Sequence, residues 1–448
     1  MVTLFNMAHF TALPAELQID IFNYLQPVHV KAARAVSRIF RDNATPALFR
    51  SIVACPRYQA LGAFQNISLH SIYSAYPREI VFDGTLYDDR VALSDRIYYS
   101  LERRYPGTAA SAGSHWARRN RWKRFQALYK EQQMMRDDGV LFQSLARGLE
   151  NMQNISSIVY SPRQHHIPVE RKILCDLLPR GAARGASSES RYSMGRFTPP
   201  DHPFRQLISA IFLTGHTGIR QLTVKTQSED DEDAHFCPAV FSLAMFTFPG
   251  PKDLLAGKHL FLRLARVDLS VHLNMSMHGV DYAQLQQLEN LAKLLETAKD
   301  LTHLSLTILD LHSSVFAREH VLFGSLGLQA LWPRLRSLSV EGISANKQDV
   351  LDMIARHKDT LRALHLADII LCTGAWEDIV NEVVFNAPAI STFTLHRVYE
   401  GFTTFGNMPS TNRDDWKCEG HLRVGEDGER HFVDDNPDKK SVYSDRTL

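Results

Sequence analysis

Cysteine is scarce in this 448-residue chain. Its members, Cys55, Cys175, Cys237, Cys372 and Cys418, are odd in number and far apart in sequence. That excludes a small disulfide-stapled scaffold and points to a reducing compartment. Excess charge of either sign is lacking too, with 50 Lys and Arg against 49 Asp and Glu. A dedicated nucleic-acid binder rests on surplus basic charge, so this balance argues against one. No long hydrophobic run exists. The longest, near Ala239–Phe248, falls far short of the roughly 20 residues that cross a bilayer. Met1 to Phe10 lacks a basic segment followed by an apolar core, so no secretory signal is expected. These absences together predict a protein without membrane association, placed in the cytoplasm, the nucleus or both.

What is there suffices for folding. The hydrophobic fraction is 44%, ordinary for a folded chain, and the length calls for more than one packing unit.

The first clear element opens at Leu13-Pro14-Ala15-Glu16-Leu17. Proline is tolerated at the first helical position, where its missing N–H has no partner to lose, and Glu16 in the first turn suits the helix dipole. Leu13, Leu17, Ile21 and Leu25 recur every fourth residue, with Phe22 beside them, as on one side of an amphipathic helix. Pro27 stops it. A second helix is expected from about Val28 to Val36. A third is expected from Ser37, a plausible N-cap, to about Ala44, with Pro46 interrupting it. A unit of about forty residues buries too little to stand alone and has to lean on other surface.

The run Leu13–Phe49 resembles the F-box family. Leu13-Pro14-x-Glu16-Leu17, Ile21-Phe22, Leu25 and Pro27 match its first half. Val36-Ser37-Arg38-x-Phe40-Arg41-Asp42 matches the second. The match covers less than a tenth of the chain and is dense within it. The resemblance implies that the apolar side of these helices docks on the adaptor subunit of an SCF-type cullin–RING ubiquitin ligase. Carried over by position, the adaptor-binding residues are Leu13, Pro14, Leu17, Ile21, Phe22, Leu25 and Val36. His29-Val30-Lys31 departs from the family's usual Asp-Leu-Leu, and Ala33 and Ala35 replace larger apolar residues.

Residues 51–150 read as a mixed, mainly helical connecting region. Ile80–Gly84 is a short strand and turn, and Asp95–Arg104 and Trp116–Arg136 are helices. Arg118, Arg119, Arg121, Lys123 and Arg124 form a basic cluster interleaved with Trp116, Trp122 and Phe125. Such a mixture suits single-stranded nucleic acid, but balanced total charge favours a solvated helix whose aromatics turn inward.

Beyond Val140 one pattern recurs: apolar, two residues, apolar, one residue, apolar. It occupies Ile155/Ile158/Tyr160, Ile219/Leu222/Val224, Leu264/Val267/Leu269, Leu301/Leu304/Leu306, Leu335/Leu338/Val340, Leu361/Leu364/Leu366 and Ile390/Phe393/Leu395. Alternation is the period of a strand, and helical spacing precedes most copies, as in Tyr282–Lys299, Val350–His357 and Trp376–Val384. The array resembles leucine-rich repeats and implies an α/β fold: an irregular solenoid over residues 151–405 with parallel strands. The family's asparagine after the third apolar position is missing. Leu309, Ile343, Ile369 and Val398 stand there. An insertion near 179–203, rich in Arg, Gly, Ser and Pro, reads as disordered. An acidic loop lies at 228–235. From 406 to 448 a tail is expected, with a hairpin of Leu422–Val424 and His431–Val433 around Asp427-Gly428.

Chemistry-bearing motifs are sparse. Gly250 to Gly257-Lys258 has too long a spacing for a phosphate loop, and His259 stands where a magnesium-binding hydroxyl belongs, so an ordinary loop is expected there. Adjacent His165-His166, and Cys418 with His421 and His431, fall short of a four-ligand zinc set. No catalytic residue, metal or cofactor is predicted. The expected role is substrate recognition for a ubiquitin ligase. A non-ligase interaction scaffold is the first alternative, and an enzyme with an unrecognised site the second.

Overall fold

In the computed structural model the described residues are 10, 12–84, 86–87, 89–104, 115–161, 202–224, 241–273, 282–310, 322–400, 418–424 and 429–434. The expected insertion up to residue 201, the acidic loop, His165-His166 and the tip of the C-terminal hairpin lie outside them.

The first helices are α1 (Ala15–Asn23), α2 (Pro27–Arg34) and α3 (Arg38–Phe49). Pro14 is the N-cap of α1 and not its first residue, whereas Pro27 opens α2. Ser37 caps α3 as expected, its hydroxyl accepting from Phe40 N–H at 3.1 Å. Pro46 does not interrupt α3, which continues to Phe49. Proline removes one helical bond there; the lost acceptor belongs to exposed Asp42, where water can replace it.

The rest is an α/β structure built on a thirteen-stranded sheet. Its strands are β1 (Ser51–Ala54), β2 (Glu79–Asp83), β3 (Ser157–Ser161), β4 (Gln221–Val224), β5 (Arg266–Leu273), β6 (His303–Asp310), β7 (Ser337–Glu341), β8 (Ser344–Asn346), β9 (Ala363–Ala367), β10 (Ile370–Thr373), β11 (Thr392–Glu400), β12 (Cys418–Val424) and β13 (Arg430–Asp434). From β1 through β7, then β9 and β11, each strand pairs in parallel with the next. Thus β1 and β2, from the stretch expected to be a connecting region, belong to the same sheet. Parallel pairing needs crossovers of a dozen residues or more. Here they carry α4 (Tyr58–Leu69), α5 (Asp89–Leu93), α6 (Asp95–Arg104), α7 (His115–Asp137), α8 (Val140–Asn151), α9 (Pro203–Leu213), α10 (Pro251–Phe261), α11 (Tyr282–Thr297), α12 (Lys347–His357) and α13 (Trp376–Asn381).

The register shows why the apolar pattern repeats. Ile52, Ile80, Ile158, Leu222, Val267, Leu304, Leu338, Leu364 and Phe393 are partners across successive strands, and all are buried in one core. Helices α4, α8, α9, α10 and α11 pack successively on one another and feed that core. The alternate row, Thr223, Asp268, Ser305, Ser339, His365 and Thr394, faces the other way and stays partly or fully exposed. Helix α10 corrects one expectation: Gly250 to Lys258 is not a loop. Pro251 sits at its first turn, and the Asp253 carboxylate accepts from Gly250 N–H at 3.1 Å, one half of a capping box.

At Ile343, Ile369 and Val398, three of the four positions noted for their lack of asparagine, the backbone turns a corner. Gly342, Asp368 and Arg397 adopt left-handed φ of 80°, 49° and 50°, each directly before one of the buried residues Ile343, Ile369 and Val398. The ladder continues around the corner: Gly342 N–H donates to Ala367 O at 3.1 Å and Asp368 N–H to His396 O at 2.9 Å. The Arg397 guanidinium donates to the Asp368 carboxylate at 2.5 Å. Beyond it, β8, β10 and the end of β11 form a second short parallel ladder.

The far end is closed by β12 and β13, which add antiparallel strands next to β11. This is the expected hairpin, longer in both arms. Arg430 Nη1 donates to the carbonyls of Ala387 (3.0 Å) and Val384 (3.3 Å), and Nη2 donates to Ile390 O.

Two outcomes are expected. Gly342→Ala places a Cβ 2.1 Å from the Ile308 carbonyl oxygen in a left-handed conformation. It should cost more than about 2 kcal/mol in urea unfolding, and a wild-type midpoint would contradict the corner. The second concerns His357, which is buried and stacked on Trp332. Its Nε2 accepts from Trp332 N–H at 3.2 Å and its Nδ1 lies 2.9 Å from Met353 O, so the bonded form is the neutral ring. Burial pushes its pKa below the ordinary 6.5, against a smaller upward pull from the Met353 carbonyl, with Arg356 adding a lesser downward push. A folded-state pKa below the unfolded one gives stability that is full above pH ~6.5 and is lost as the pH falls through the folded value. Melting temperature should therefore drop on acidification below pH ~6.5, and more shallowly in His357→Gln. An unchanged slope would remove His357 from the account.

Candidate functional site

Helices α1 and α2 both pack on α3. Their small core is aromatic: Phe10, Phe22 and Phe40 meet with ring centroids 5.1–5.8 Å apart, joined by Val30 and Ala44. One buried polar residue fixes the geometry. Gln18 Nε2 donates to the carbonyls of Leu13 (2.8 Å) and Phe10 (3.2 Å), and its Oε1 accepts from Asn43 Nδ2 at 3.0 Å. Gln18 thus pins the entry of α1 to α3. Sequence reasoning missed it; the available signal was its spacing, four residues before Phe22 and out of phase with the leucines.

That phase decides which side faces out. Gln18 and Phe22 point inward, both 2% exposed. Leu17, Ile21 and Leu25, the stripe read as the apolar face, are 49%, 38% and 39% exposed. Val36 is 51% exposed, and Val28 and Ile39 are exposed as well. Pro14 is exposed and Leu13 half-buried. Of the carried-over residues, Phe22 alone lies in the unit's own core, held there by its contacts with Phe10 and Phe40. An ordinary amphipathic helix buries its leucines; α1 leaves them in water and buries a glutamine and a phenylalanine.

The unit is fastened to the sheet. The Arg50 carbonyl, directly after α3, accepts from Arg78 N–H (2.8 Å) and Glu79 N–H (3.1 Å) at the start of β2. Phe49 stacks on Tyr73 at 4.6 Å, and Tyr73 on His70 at 3.8 Å.

The sheet's polar face is a second exposed surface. Its groups pair along the face: Thr223 Oγ1 donates to Asp268 at 3.1 Å, Arg266 to the same carboxylate at 2.7 Å, and Thr307 to Glu341 at 3.2 Å. His365 Nδ1 is hydrogen-bonded to the Thr394 hydroxyl. Although His365 is exposed on this face, partial desolvation of its ring holds its pKa below the ordinary value, against the pull of Glu341. No group of three or more His, Cys, Asp or Glu side chains is placed to hold a metal among the described residues. Cys55 is buried and Cys372 partly so, both as thiols.

The basic cluster lies on α7, whose aromatics divide. Phe125 is buried, and Trp122 is half-buried with Nε1 donating to Val91 O at 3.1 Å. Trp116 does not turn inward: it is 73% exposed.

No protein-family model matches the chain, and comparison with curated proteins finds no match. The functional reading therefore rests on the residues and their placement.

The inversion in α1 has a measurable signature. Phe22→Ala should destabilise the N-terminal helices by about 3–5 kcal/mol, as a core truncation. Leu17→Ala should change stability by less than about 1 kcal/mol. Hydrogen exchange of α1–α3 amides checks both, and equal losses would mean that the assigned faces are wrong.

Proposed function

We propose that this chain is a substrate-recognition subunit of an SCF-type ubiquitin ligase. Its N-terminal helices serve as an F-box that binds the adaptor subunit, and its sheet region serves as an irregular leucine-rich-repeat-like solenoid that binds the target. One observation carries the reading. The unit that resembles an F-box in sequence leaves Leu17, Ile21, Leu25 and Val36 in solvent while completing its own core with other residues. Covering the 38–51% of each side chain that is still exposed contributes up to about half of the roughly 1.5–3 kcal/mol of full burial, a reason for them to be outside. The in-register parallel strands and the stacked corners at Gly342, Asp368 and Arg397 support the solenoid half.

On this reading the chain performs no bond chemistry. It holds a target close to a charged ubiquitin-conjugating enzyme and raises the effective concentration of the target's lysines. The fastening of α3 to β2 matters for that role, because a fixed geometry keeps the target within reach.

Co-purification of the full chain with the adaptor subunit tests the proposal. Wild type should retain the adaptor. The double variant Leu17→Asp/Ile21→Asp should lose it with an unchanged melting temperature, since both residues are exposed. Retention by the variant, or failure of the wild type to bind, would defeat the reading. Proteasome-dependent turnover of a captured partner then separates a ligase subunit from a scaffold.

A further inference from the structure

We infer that α7 and the start of α4 form a docking surface for an acidic polypeptide segment carrying a large apolar side chain. Three features meet there. First, the outward row of α7, at three- and four-residue spacing, reads Trp116, Arg119, Lys123, Ala127, Lys130 and Met134, all exposed. It carries cations at its centre, apolar groups at both ends and no acid. The first turn of α7 has no acidic residue either, although anions are what a helix N-terminus favours. Like charges at Arg119 and Lys123, four residues apart, oppose each other on a helix surface.

Second, the row runs into an open groove of about 590 Å³ between α7 and α4, lined by Ala127, Lys130 and Met134 on one side and Tyr58 on the other. Met134 and Tyr58 are 57% and 42% exposed, an accommodating thioether opposite an amphipathic ring. Third, the groove's carboxylate is already engaged. Glu131 Oε1 accepts from Arg57 Nε at 3.3 Å and from Tyr58 N–H at 2.9 Å. Among the described residues, Lys130 then stands at the groove's edge without a carboxylate partner.

Charge complementarity selects the occupant. A row of separated cations bracketed by apolar groups matches a peptide whose carboxylates flank one Phe, Leu or Met. Nucleic acid is the weaker match. The cations form a single line on one helix, and the chain as a whole, 50 basic against 49 acidic residues, supplies no broad positive field to track a phosphate backbone. This inference stands apart from adaptor binding, since it uses different helices and its test needs no ligase component.

Random peptides of about twelve residues, displayed on phage, are selected on the immobilised full chain and then measured as free labelled peptides. Winners should be rich in Asp and Glu around a large apolar residue, and their binding should weaken with salt. Arg119→Glu/Lys123→Glu should weaken them at least about tenfold, and Met134→Ser should weaken them without changing the salt slope. Arg119→Gln/Lys123→Gln, with melting temperature recorded, covers the case in which charge reversal unfolds α7. Winners without acidic excess, or winners that bind the substituted chains as well as wild type, overturn the inference. So does a labelled poly-dT strand that binds wild type through Arg119 and Lys123 more tightly than the peptides do.

Discussion

Strands that run parallel cannot be joined by a tight turn, so each must be returned to the starting edge by a crossover. In this chain the returns share one register: the same apolar position on β1 to β7, β9 and β11 lands beside its counterpart on the next strand of the row. A shift of one residue would carry each side chain to the opposite face of the sheet. The polar row of Thr223, Asp268, Ser305, Ser339, His365 and Thr394 would then be driven into the core, and Leu222, Val267, Leu304, Leu338, Leu364 and Phe393 into water. The cost of that exchange defines the fold. It lets crossovers differ in length and content, from the long helical excursion between β2 and β3 to the shorter return from β7 to β9.

A stack of this kind has two ends, and open ends are a hazard because unpaired strand edges invite other chains. The C-terminal end is met by a change of direction. β12 and β13 run antiparallel, and Arg430 donates to the carbonyls of Val384, Ala387 and Ile390. At the N-terminal end α3 leads directly into β1, and the Arg50 carbonyl hydrogen-bonds to the first residues of β2. That bond, repeated at the entry of each later strand, fastens the N-terminal helices to the first strands of the sheet. Both surfaces proposed for binding gain from this rigidity, because ordered groups lose less entropy when a partner arrives.

Much of the architecture was legible because strand alternation and helical spacing are local signals. Leu304/Leu306 and Leu364/Leu366 announced strands, and Asp95–Arg104 is a helix over the residues expected. Legibility failed where one residue's effect depends on remote partners. Pro46 sits inside α3 although proline usually ends a helix. Pro251 to Phe261 is a helix, with Gly250 as its N-cap and the Asp253 carboxylate accepting from the Gly250 N–H. The corners at Asp368 and Arg397 use left-handed backbone at residues that carry no glycine signal, stabilised by a neighbouring strand far away in sequence. For the candidate site, the exposed positions could be drawn from the sequence, but the inward turn of Phe22 could not. Its environment is set by Phe10 and Phe40, which no periodicity links to it.

The departures of α2 from the F-box pattern acquire a physical reading once burial is known. Val30 is buried and Ala33 packs against the Phe22–Phe40 core. Their sizes therefore bear on how tightly α2 sits on α3 and little on what the unit offers outward. His29, Lys31 and Ala35 are exposed, so any loss of apolar contact with a partner is confined to those positions. Leu17, Ile21, Leu25, Val28 and Val36 retain large apolar groups outside. Exposed groups of this size, gathered on so short a unit, raise the risk of association, and none of them belongs to the unit's own buried core. Their cost to the isolated chain is recovered only when another surface covers them, which is why the outward Leu17, Ile21 and Leu25, more than any feature of the sheet, argue for a partner.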